Sequence, residues 1–251
     1  MKQFIRKILQ KYNYDIIKIN QGLVIPDDFE DVHKAIYKKV ANNTMTSPER
    51  IYSLIEAIKY VEKNRIEGDI VECGVWKGGS MMAVAETLAL YKNFTRNLYL
   101  YDTYEGMSEP TEHDKTFYGE NASTLLDKNA NKEKNLVWAY STLETVKQGM
   151  QTTGYPEGNI KYVKGKVEDS IPATIPGKIA VLRLDTDWYE STLHELVHLY
   201  PLLVTGGVLI LDDYGHWAGA KKAVDEYFAK HNTQILLNRI DETGRIAIKQ
   251  A

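Results

Sequence analysis

The pattern of apolar and polar positions alternates between helix-like and strand-like segments. Residues 47–63, SPERIYSLIEAIKYVEK, place isoleucine and leucine side chains on one face at helical spacing. Ser47 stands at the N-cap and Pro48 at the first helical position, and both residue types are typical of helix starts. The segment therefore predicts an amphipathic helix.

Short apolar runs follow, and each has a glycine or an acid at or next to its end. They are DIVECGV (69–75), NLYLYD (97–102), NIKYVKG (159–165), KIAVLRLD (178–185) and GGVLILDD (206–213). Helical patterns separate these runs, and apolar runs without strict alternation are typical of parallel strands covered on both faces. The order of elements predicts a doubly wound α/β fold.

The end of the chain departs from this alternation. QILLNRI and RIAIK flank DETG, a hairpin pattern that predicts an antiparallel pair. We therefore expect a mostly parallel seven-stranded sheet with a C-terminal antiparallel hairpin. Residues 1–46 form an N-terminal helical or lid segment in this interpretation, and 47–251 form the main domain. A polar insertion at about 103–158 is long enough to overhang a site.

Composition restricts the function classes. With 31 basic and 34 acidic residues the formal net charge is −3, and no basic run indicates nucleic-acid binding. Cys73 is the single cysteine, which excludes an internal disulfide. The first 15 residues predict an amphipathic helix, not a signal peptide or a stable membrane insertion, with reversible docking on a membrane as an alternative role. We expect a cytoplasmic homo-oligomer that acts on a small molecule, with the N-terminal segment as the first candidate interface.

The first glycine-rich loop, ECGVWKGG (72–79), indicates a nucleoside site. Ligands of open α/β sheets bind where strands end, and Gly74 and Asp102 follow or end two neighbouring runs. Val75 replaces the second glycine of the dinucleotide pattern, which suits a nucleoside without a diphosphate whose ribose hydroxyls bind Asp102. Alternatively the glycines only shape a turn, and Asp102 only caps a helix or turn.

Four aspartates follow two neighbouring strands. Asp185, Asp212 and Asp213 are expected at one sheet edge, where three ionised carboxylates require a compensating cation. Mg²⁺ prefers such oxygen ligands. Asp187, two residues past Asp185, can accept a proton from a bound hydroxyl, or only cap the next helix. The alternative for Asp212 and Asp213 is a solvated turn without metal.

HELVH (194–198) matches the HExxH pattern of zinc proteases, but helical geometry disfavours that interpretation. We expect Glu195 to point away from the core, with His194 and His198 as ordinary flank or boundary residues. The predicted core stripe is Leu193, Leu196, Val197 and Tyr200.

Over residues 40–249 the chain resembles the macrocin O-methyltransferase family, which methylates sugar hydroxyls in antibiotic tailoring and includes mycinamicin- and novobiocin-type enzymes. The motifs that support the resemblance occur in order. They are NTMTSPERI (43–51), GDIVECGVWKGG (68–79), YDTYEGM (101–107), GKVEDSIPA (165–173), LRLDTDWYEST (182–192) and LDDYGHWAGAKKAV (211–224).

The resemblance implies a class I, Rossmann-like methyltransferase that uses S-adenosylmethionine and Mg²⁺. The implied cofactor-binding residues are Thr44, Met45, Glu72, Gly74, Ser80, Asp102, Asp169 and Ser170, with the last two at the adenine. The implied metal ligands are Asp185, Asp212 and Asp213, and the implied base is Asp187, with His216 as the alternative.

The expected reaction is methyl transfer to a hydroxyl of a sugar or glycosylated natural product. A catechol or other vicinal-diol methyltransferase, and a non-catalytic cofactor-binding scaffold, stay open as alternatives. Trp188, Tyr214 and Trp217 are candidates to stack on a sugar face, or else belong to the core.

Overall fold

The structure, a computed structural model, describes residues 25–250, so the helix predicted for the first 15 residues lies outside the described residues. A sheet in the order β3-β2-β1-β4-β5-β7-β6 forms its centre. The strands are β1 (Asp69–Cys73), β2 (Leu98–Asp102), β3 (Ile160–Lys164), β4 (Ile179–Leu184), β5 (Leu203–Leu211), β6 (Asn238–Arg239) and β7 (Arg245–Ile248).

The topology confirms the predicted fold class. β1 pairs in parallel with β2 on one side and with β4 on the other, and β7 runs antiparallel to β5. The chain therefore builds the sheet outwards from β1 in one direction and from β4 in the other. The carboxyl ends of these two strands border the crevice where open α/β sheets bind ligands.

Helices cover both faces of the sheet. Neighbouring strand residues point to opposite sides, and both sides present apolar side chains that must be buried. Ile70 packs with one apolar cluster and Val71 with the other. The helices are α1 (Asp31–Val40), α2 (Pro48–Lys63), α3 (Gly79–Leu90), α4 (Ala122–Lys128), α5 (Leu143–Gln151), α6 (Val167–Ser170), α7 (Tyr189–Leu199) and α8 (Ala218–Lys230).

The predicted start of α2 is confirmed. Pro48 occupies the first turn, and the Ser47 side chain accepts a hydrogen bond from the Arg50 N–H. This cap satisfies one of the free N–H groups at the helix start and contributes about 1 kcal/mol. The cap also fixes the backbone at the start of α2, next to the segment 43–46 that borders the site described below.

The insertion between β2 and β3 belongs partly to the core. Val146 and Met150 of α5 are fully buried in the cluster beneath α3. Asp114 is also buried, and its Oδ1 accepts the Tyr189 N–H at 2.8 Å, so the insertion caps α7. The insertion thus fixes the helix that follows Asp187.

Within residues 25–250 no helix is long and apolar enough to cross a membrane. The homo-oligomer and the cytoplasmic location stay predictions.

Candidate functional site

A cavity of about 480 Å³ opens where β1, β2, β4 and β5 end. It brings together most of the residues that the sequence predicts for the site. These are Thr44, Met45, Gly74, Ser80, Asp102, Asp185, Asp187, Asp212, Asp213 and His216. Glu72, Asp169 and Ser170 do not line it.

Gly74 allows β1 and β4 to approach each other at the cavity floor. Its φ is 83°, and a Cβ atom there would lie 1.9 Å from the Asp185 carbonyl oxygen. Any side chain would therefore displace Asp185 as well as adopt a left-handed backbone that L-residues disfavour. The glycine is required by the backbone geometry of the site.

Asp102 holds the glycine loop in place. Its Oδ2 accepts the N–H groups of Val75 at 2.7 Å and Trp76 at 3.0 Å, and its Oδ1 accepts that of Tyr104 at 2.6 Å. Burial raises the pKa of Asp102, and the three N–H donors oppose that rise. The carboxyl group therefore shapes the loop as well as lining the cavity.

Residues before α2 close the cavity from the other side. The Asn43 carbonyl accepts the Gly79 N–H at 2.9 Å. Thr44 and Met45 line the cavity beside it, and the Met45 side chain is half exposed. The segment before α2 is thus attached directly to the glycine loop.

Two arginines neutralise part of the acidic cluster. Arg183 lies 2.8 Å from an oxygen of Asp185 and 2.8 Å from one of Asp212, and it also binds the buried Glu72. Arg50 of α2 bridges Asp212 and Asp241, at 2.6 and 2.7 Å. Burial raises the pKa of Glu72 to about 7, although Arg183 opposes this rise.

These ion pairs explain why Glu72 does not line the cavity, because its carboxyl group turns towards Arg183. Sequence reasoning did not identify either arginine. Arg183 does have a detectable signal, since a charged residue inside a buried apolar strand requires a partner.

Asp187 and Asp213 form a pair at the end of the cavity where β4 and β5 finish. The Asp187 N–H donates to Asp213 Oδ2 at 3.2 Å. Burial and the negative charge of Asp185 raise the pKa of Asp187 to about 7. The N-cap of α7 is Trp188, so Asp187 is not its capping residue.

The acidic cluster has the oxygen chemistry that Mg²⁺ prefers. Asp212 is buried, and its Oδ1 has no hydrogen-bond partner in the described part of the chain. Across residues 25–250, however, no three acidic, histidine or cysteine side chains are grouped as a metal site. Arg183 and Arg50 engage the other oxygen of Asp212, and Arg183 also engages Asp185. The magnesium ligands therefore stay a prediction.

His216 lies exposed at the cavity mouth. Loss of water on its cavity side and the nearby charge of Arg50 lower the pKa of its imidazole. The ring is therefore neutral near pH 7 and can accept a proton, as the alternative base would have to do.

The predicted adenine residues are displaced by α6, which is a single turn. Lys166, Val167 and Glu168 line the cavity, whereas the Ser170 hydroxyl donates back to the Lys166 carbonyl. Successive residues of a helix point in different directions around its axis. Lys166 to Glu168 therefore face the cavity, whereas Asp169 and Ser170 point away from it.

The aromatic residues proposed for sugar stacking do not line the cavity. Trp188 and Trp217 are buried, with ring centroids 4.9 Å apart in an edge-to-face arrangement. The Tyr214 hydroxyl donates to Asp225. For the two tryptophans the stacking expectation is replaced by the core alternative, because both indoles pack in one apolar cluster with Ala122 and Leu126 of the insertion.

The expected orientation of Glu195 is wrong. Its side chain is fully buried, and its Oε1 accepts a hydrogen bond from the Thr186 hydroxyl at 3.0 Å. Val197, assigned to the core stripe, is 44% exposed. The buried face of α7 is thus rotated relative to the apolar pattern, and Thr186 provides a hydrogen-bond partner for the buried carboxyl group.

Known proteins resemble this chain in sequence and fold. The profile of the macrocin O-methyltransferase (TylF) family matches residues 13–248. The chain is 31% identical over 202 residues to demethyldecarbamoylnovobiocin O-methyltransferase of Streptomyces niveus, covering 80% of this chain and 74% of that enzyme. It is 29% identical over 208 residues to mycinamicin III 3''-O-methyltransferase of Micromonospora griseorubida, covering 83% and 78%.

The solved structure of the O-methyltransferase NovP has a TM-score of 0.73 and 29% identity to this chain, and the match covers 83% of each. A more distant neighbour, a methyltransferase of Podospora anserina bound to S-adenosylhomocysteine, has 12% identity and shows the fold alone. The chain belongs to the macrocin O-methyltransferase family, and it is an O-methyltransferase.

Proposed function

We propose that the protein moves a methyl group from S-adenosylmethionine to a hydroxyl of a sugar or glycosylated natural product, with Mg²⁺ in the acidic cluster. One observation supports this proposal above the others. A single cavity contains both the glycine loop with Asp102 and the aspartates that follow β4 and β5. A nucleoside-type donor and an acceptor hydroxyl can therefore meet in one enclosed space.

The glycine-loop side of the cavity suits the donor. Gly74 presents backbone without a side chain, while Asp102 and Glu168 offer carboxylate oxygens to hydroxyl or amino groups. S-adenosylmethionine, when bound there, supplies a methyl group on a positively charged sulfur. The acidic character of the cavity favours that positive charge.

Asp185, Asp212 and Asp213 would hold the metal ion. Their carboxyl groups, together with Glu72 and Asp187, outnumber Arg183 and Arg50, so all five cannot be ionised together without a further cation. Burial and mutual repulsion raise the pKa of Asp213 well above its ordinary value. Bound Mg²⁺ would orient an acceptor hydroxyl and lower its pKa.

Asp187 would receive the proton of the acceptor hydroxyl. Asp187 lines the cavity together with Asp185, and its backbone N–H is bound to Asp213 Oδ2 at 3.2 Å. Removal of the proton leaves an oxygen nucleophile, and the new C–O bond forms as the C–S bond breaks. The residues contribute mainly by position, because the donor already contains a good leaving group.

The sugar acceptor is supported by the relatives. Besides the novobiocin and mycinamicin enzymes, a Streptomyces olivaceus relative with 31% identity is a rhamnosyl-tetracenomycin 4'-O-methyltransferase. Sugars provide neighbouring hydroxyls that a metal can hold together. We therefore expect the acceptor to be a glycoside.

Calorimetric titration with S-adenosylhomocysteine, with and without Mg²⁺, is the first test of this proposal. Micromolar binding together with methylation of a glycoside panel would support it, and a catechol panel would reveal the diol alternative. Binding without turnover on either panel would favour a scaffold. Absence of binding in both buffers would contradict the methyl donor assignment.

The two candidate bases can be separated by paired variants. Asp187→Asn should abolish most turnover at every pH, whereas His216→Gln should leave most of it. The reverse result would assign the proton to His216 and remove Asp187 from that role.

A further inference from the structure

Asp187 occupies a strained three-residue turn. The Trp188 N–H donates to the Thr186 carbonyl at 2.7 Å, which closes a γ-turn around Asp187. The φ angle of Asp187 is 68°, in the left-handed region that costs a non-glycine residue about 1 kcal/mol or more. Such a turn persists only where the surrounding structure holds it.

Three side chains hold this turn. Asp213 accepts the Asp187 N–H at 3.2 Å, and the Ser191 hydroxyl donates to the Thr186 carbonyl at 3.5 Å. The shortest of these contacts comes from below, where the Thr186 hydroxyl donates to Glu195 Oε1 at 3.0 Å. Thr186 is therefore held at both its carbonyl and its side chain.

Glu195 is an unusual residue for its position. It lies on the buried face of α7 beside the fully buried Leu196 and Leu199, where an apolar side chain would avoid the cost of desolvating a carboxyl group. Its Oε2 has no hydrogen-bond partner within residues 25–250. It also adjoins the buried Cys73 at the end of β1. Burial raises the pKa of Glu195 well above its ordinary value.

We propose that Glu195 is a positioning residue for methyl transfer, and that it acts through the Thr186 hydroxyl to hold the γ-turn that directs Asp187 into the cavity. The inference rests on the proposed function for its catalytic part. The glutamate of the HELVH pattern thus has a role at the reaction centre without contacting substrate. Glu195 stabilises the γ-turn through Thr186, which lies between Asp185 and Asp187 of the acidic cluster.

Two variants break the contact from opposite sides. Thr186→Val removes the hydroxyl at nearly constant volume, and Glu195→Leu removes the carboxyl group. Thr186→Ser and Glu195→Gln each keep a hydrogen-bonding group and serve as conservative variants. Thr87→Val is the matched control, because Thr87 is fully buried and its hydroxyl donates to the Ala83 carbonyl in α3.

Two measurements separate positioning from stability. Hydrogen exchange of the amides in residues 185–188 reports on the turn directly and needs neither metal nor turnover. Steady-state kinetics then reports kcat and the KM for S-adenosylmethionine, with thermal unfolding of each variant alongside.

We expect both disruptive variants to speed exchange in 185–188 and to lower kcat about tenfold or more, because small misplacements of a reacting group reduce rates strongly. The KM for S-adenosylmethionine should stay within about twofold, since the glycine loop is untouched. The double variant should lose no more than either single variant. The conservative variants should recover most of kcat, and Thr87→Val should lower the Tm without lowering kcat.

The proposal is overturned if exchange in 185–188 is unchanged in both disruptive variants, or if kcat is unchanged despite faster exchange. It is also overturned if kcat follows the Tm as it does in Thr87→Val. If the unmodified protein transfers no methyl group to any acceptor, the proposed function fails, and unchanged exchange would then remove the contact's role as well. Faster exchange in 185–188 would still show that the contact between Glu195 and Thr186 holds the γ-turn.

Discussion

The two ends of the cavity are constructed by different means. The glycine-loop end, Gly74 to Trp76 with Asp102, is formed by backbone: a Cβ-free residue and N–H groups bound to one carboxylate. The carboxylate end, Asp185 to Asp187 with Asp212 and Asp213, is formed by side chains, of which arginines hold Asp185 and Asp212 at 2.6 to 2.8 Å.

This difference determines which changes each end tolerates. Backbone groups keep their positions when a neighbouring side chain changes, but they cannot accommodate an added Cβ. Side-chain carboxylates tolerate isosteric replacement structurally, because asparagine has nearly the shape of aspartate, yet they lose their charge. Substitutions should therefore affect donor binding at one end and chemistry at the other.

The largest effect is expected at the carboxylate end. Asp187→Asn should lower kcat about 1000-fold, as expected for loss of a general base. Affinity for S-adenosylhomocysteine should stay unchanged, and calorimetry with steady-state kinetics measures both. Asp127→Asn, on the exposed side of α4, should keep full activity. Parallel loss of affinity and kcat would show that the two ends are not independent.

The glycine-loop end should show the opposite behaviour. Gly74→Ala should weaken S-adenosylhomocysteine binding and destabilise the fold by more than about 1–2 kcal/mol, the cost of the left-handed backbone alone. The control is Gly154→Ala, because Gly154 has φ 71° but nothing within 4 Å of a Cβ. Equal losses in the two variants, measured by thermal unfolding, would mean that contact with Asp185 is unimportant.

Asp241 links the carboxylate end to stability at low pH. Burial raises its pKa, but hydrogen bonds from Arg50, the Gly244 N–H and Ser47 lower the pKa of Asp241 to about 2, from 3.8. The pKa of Asp241 is lower in the folded protein than in the unfolded chain. Asp241 therefore contributes at most about 2 kcal/mol to the free energy of unfolding, and this contribution is complete above about pH 4 and is lost as the pH falls towards 2.

Urea unfolding from pH 7 to 2 tests this linkage. Asp241→Asn should be less stable than the unmodified protein at pH 7, and the difference should shrink as the pH falls below about 4. Asp28→Asn, at an exposed position, should show no such convergence. A constant difference at all pH values would contradict the lowered pKa.

The smallest effect concerns the wall of the cavity. Trp188→Phe removes the hydrogen bond from Nε1 to the Ser108 carbonyl, 3.1 Å, at a cost of about 1 kcal/mol. Because Ser108 lines the cavity, the KM for the acceptor should rise while affinity for S-adenosylhomocysteine does not change. Trp138→Phe loses a similar bond to Asn129 and should affect only the Tm. Equal KM values in both variants would exclude this role for Trp188.

The local sequence pattern was sufficient to predict much of the fold and the clustering of the aspartates. Apolar runs predict strands because burial on both faces needs apolar residues, and parallel strand ends must meet at one edge. Asp185 and Asp212 were therefore expected close together, and they are held by the same guanidinium group. The α2 start followed from Ser47 and Pro48 in the same local way.

The sequence by itself thus determined the parallel strands, the glycine loop and the gathering of acids at one edge, whereas the order of the strands came from the folded sheet. Only the tertiary structure brought Arg50 and Asp241 together from opposite ends of the domain. It also buried Trp188 and turned Glu195 inwards onto Thr186. Periodicity tells which residues share a face, but the partner beneath that face comes from a distant part of the chain, so side-chain pairing required the folded protein.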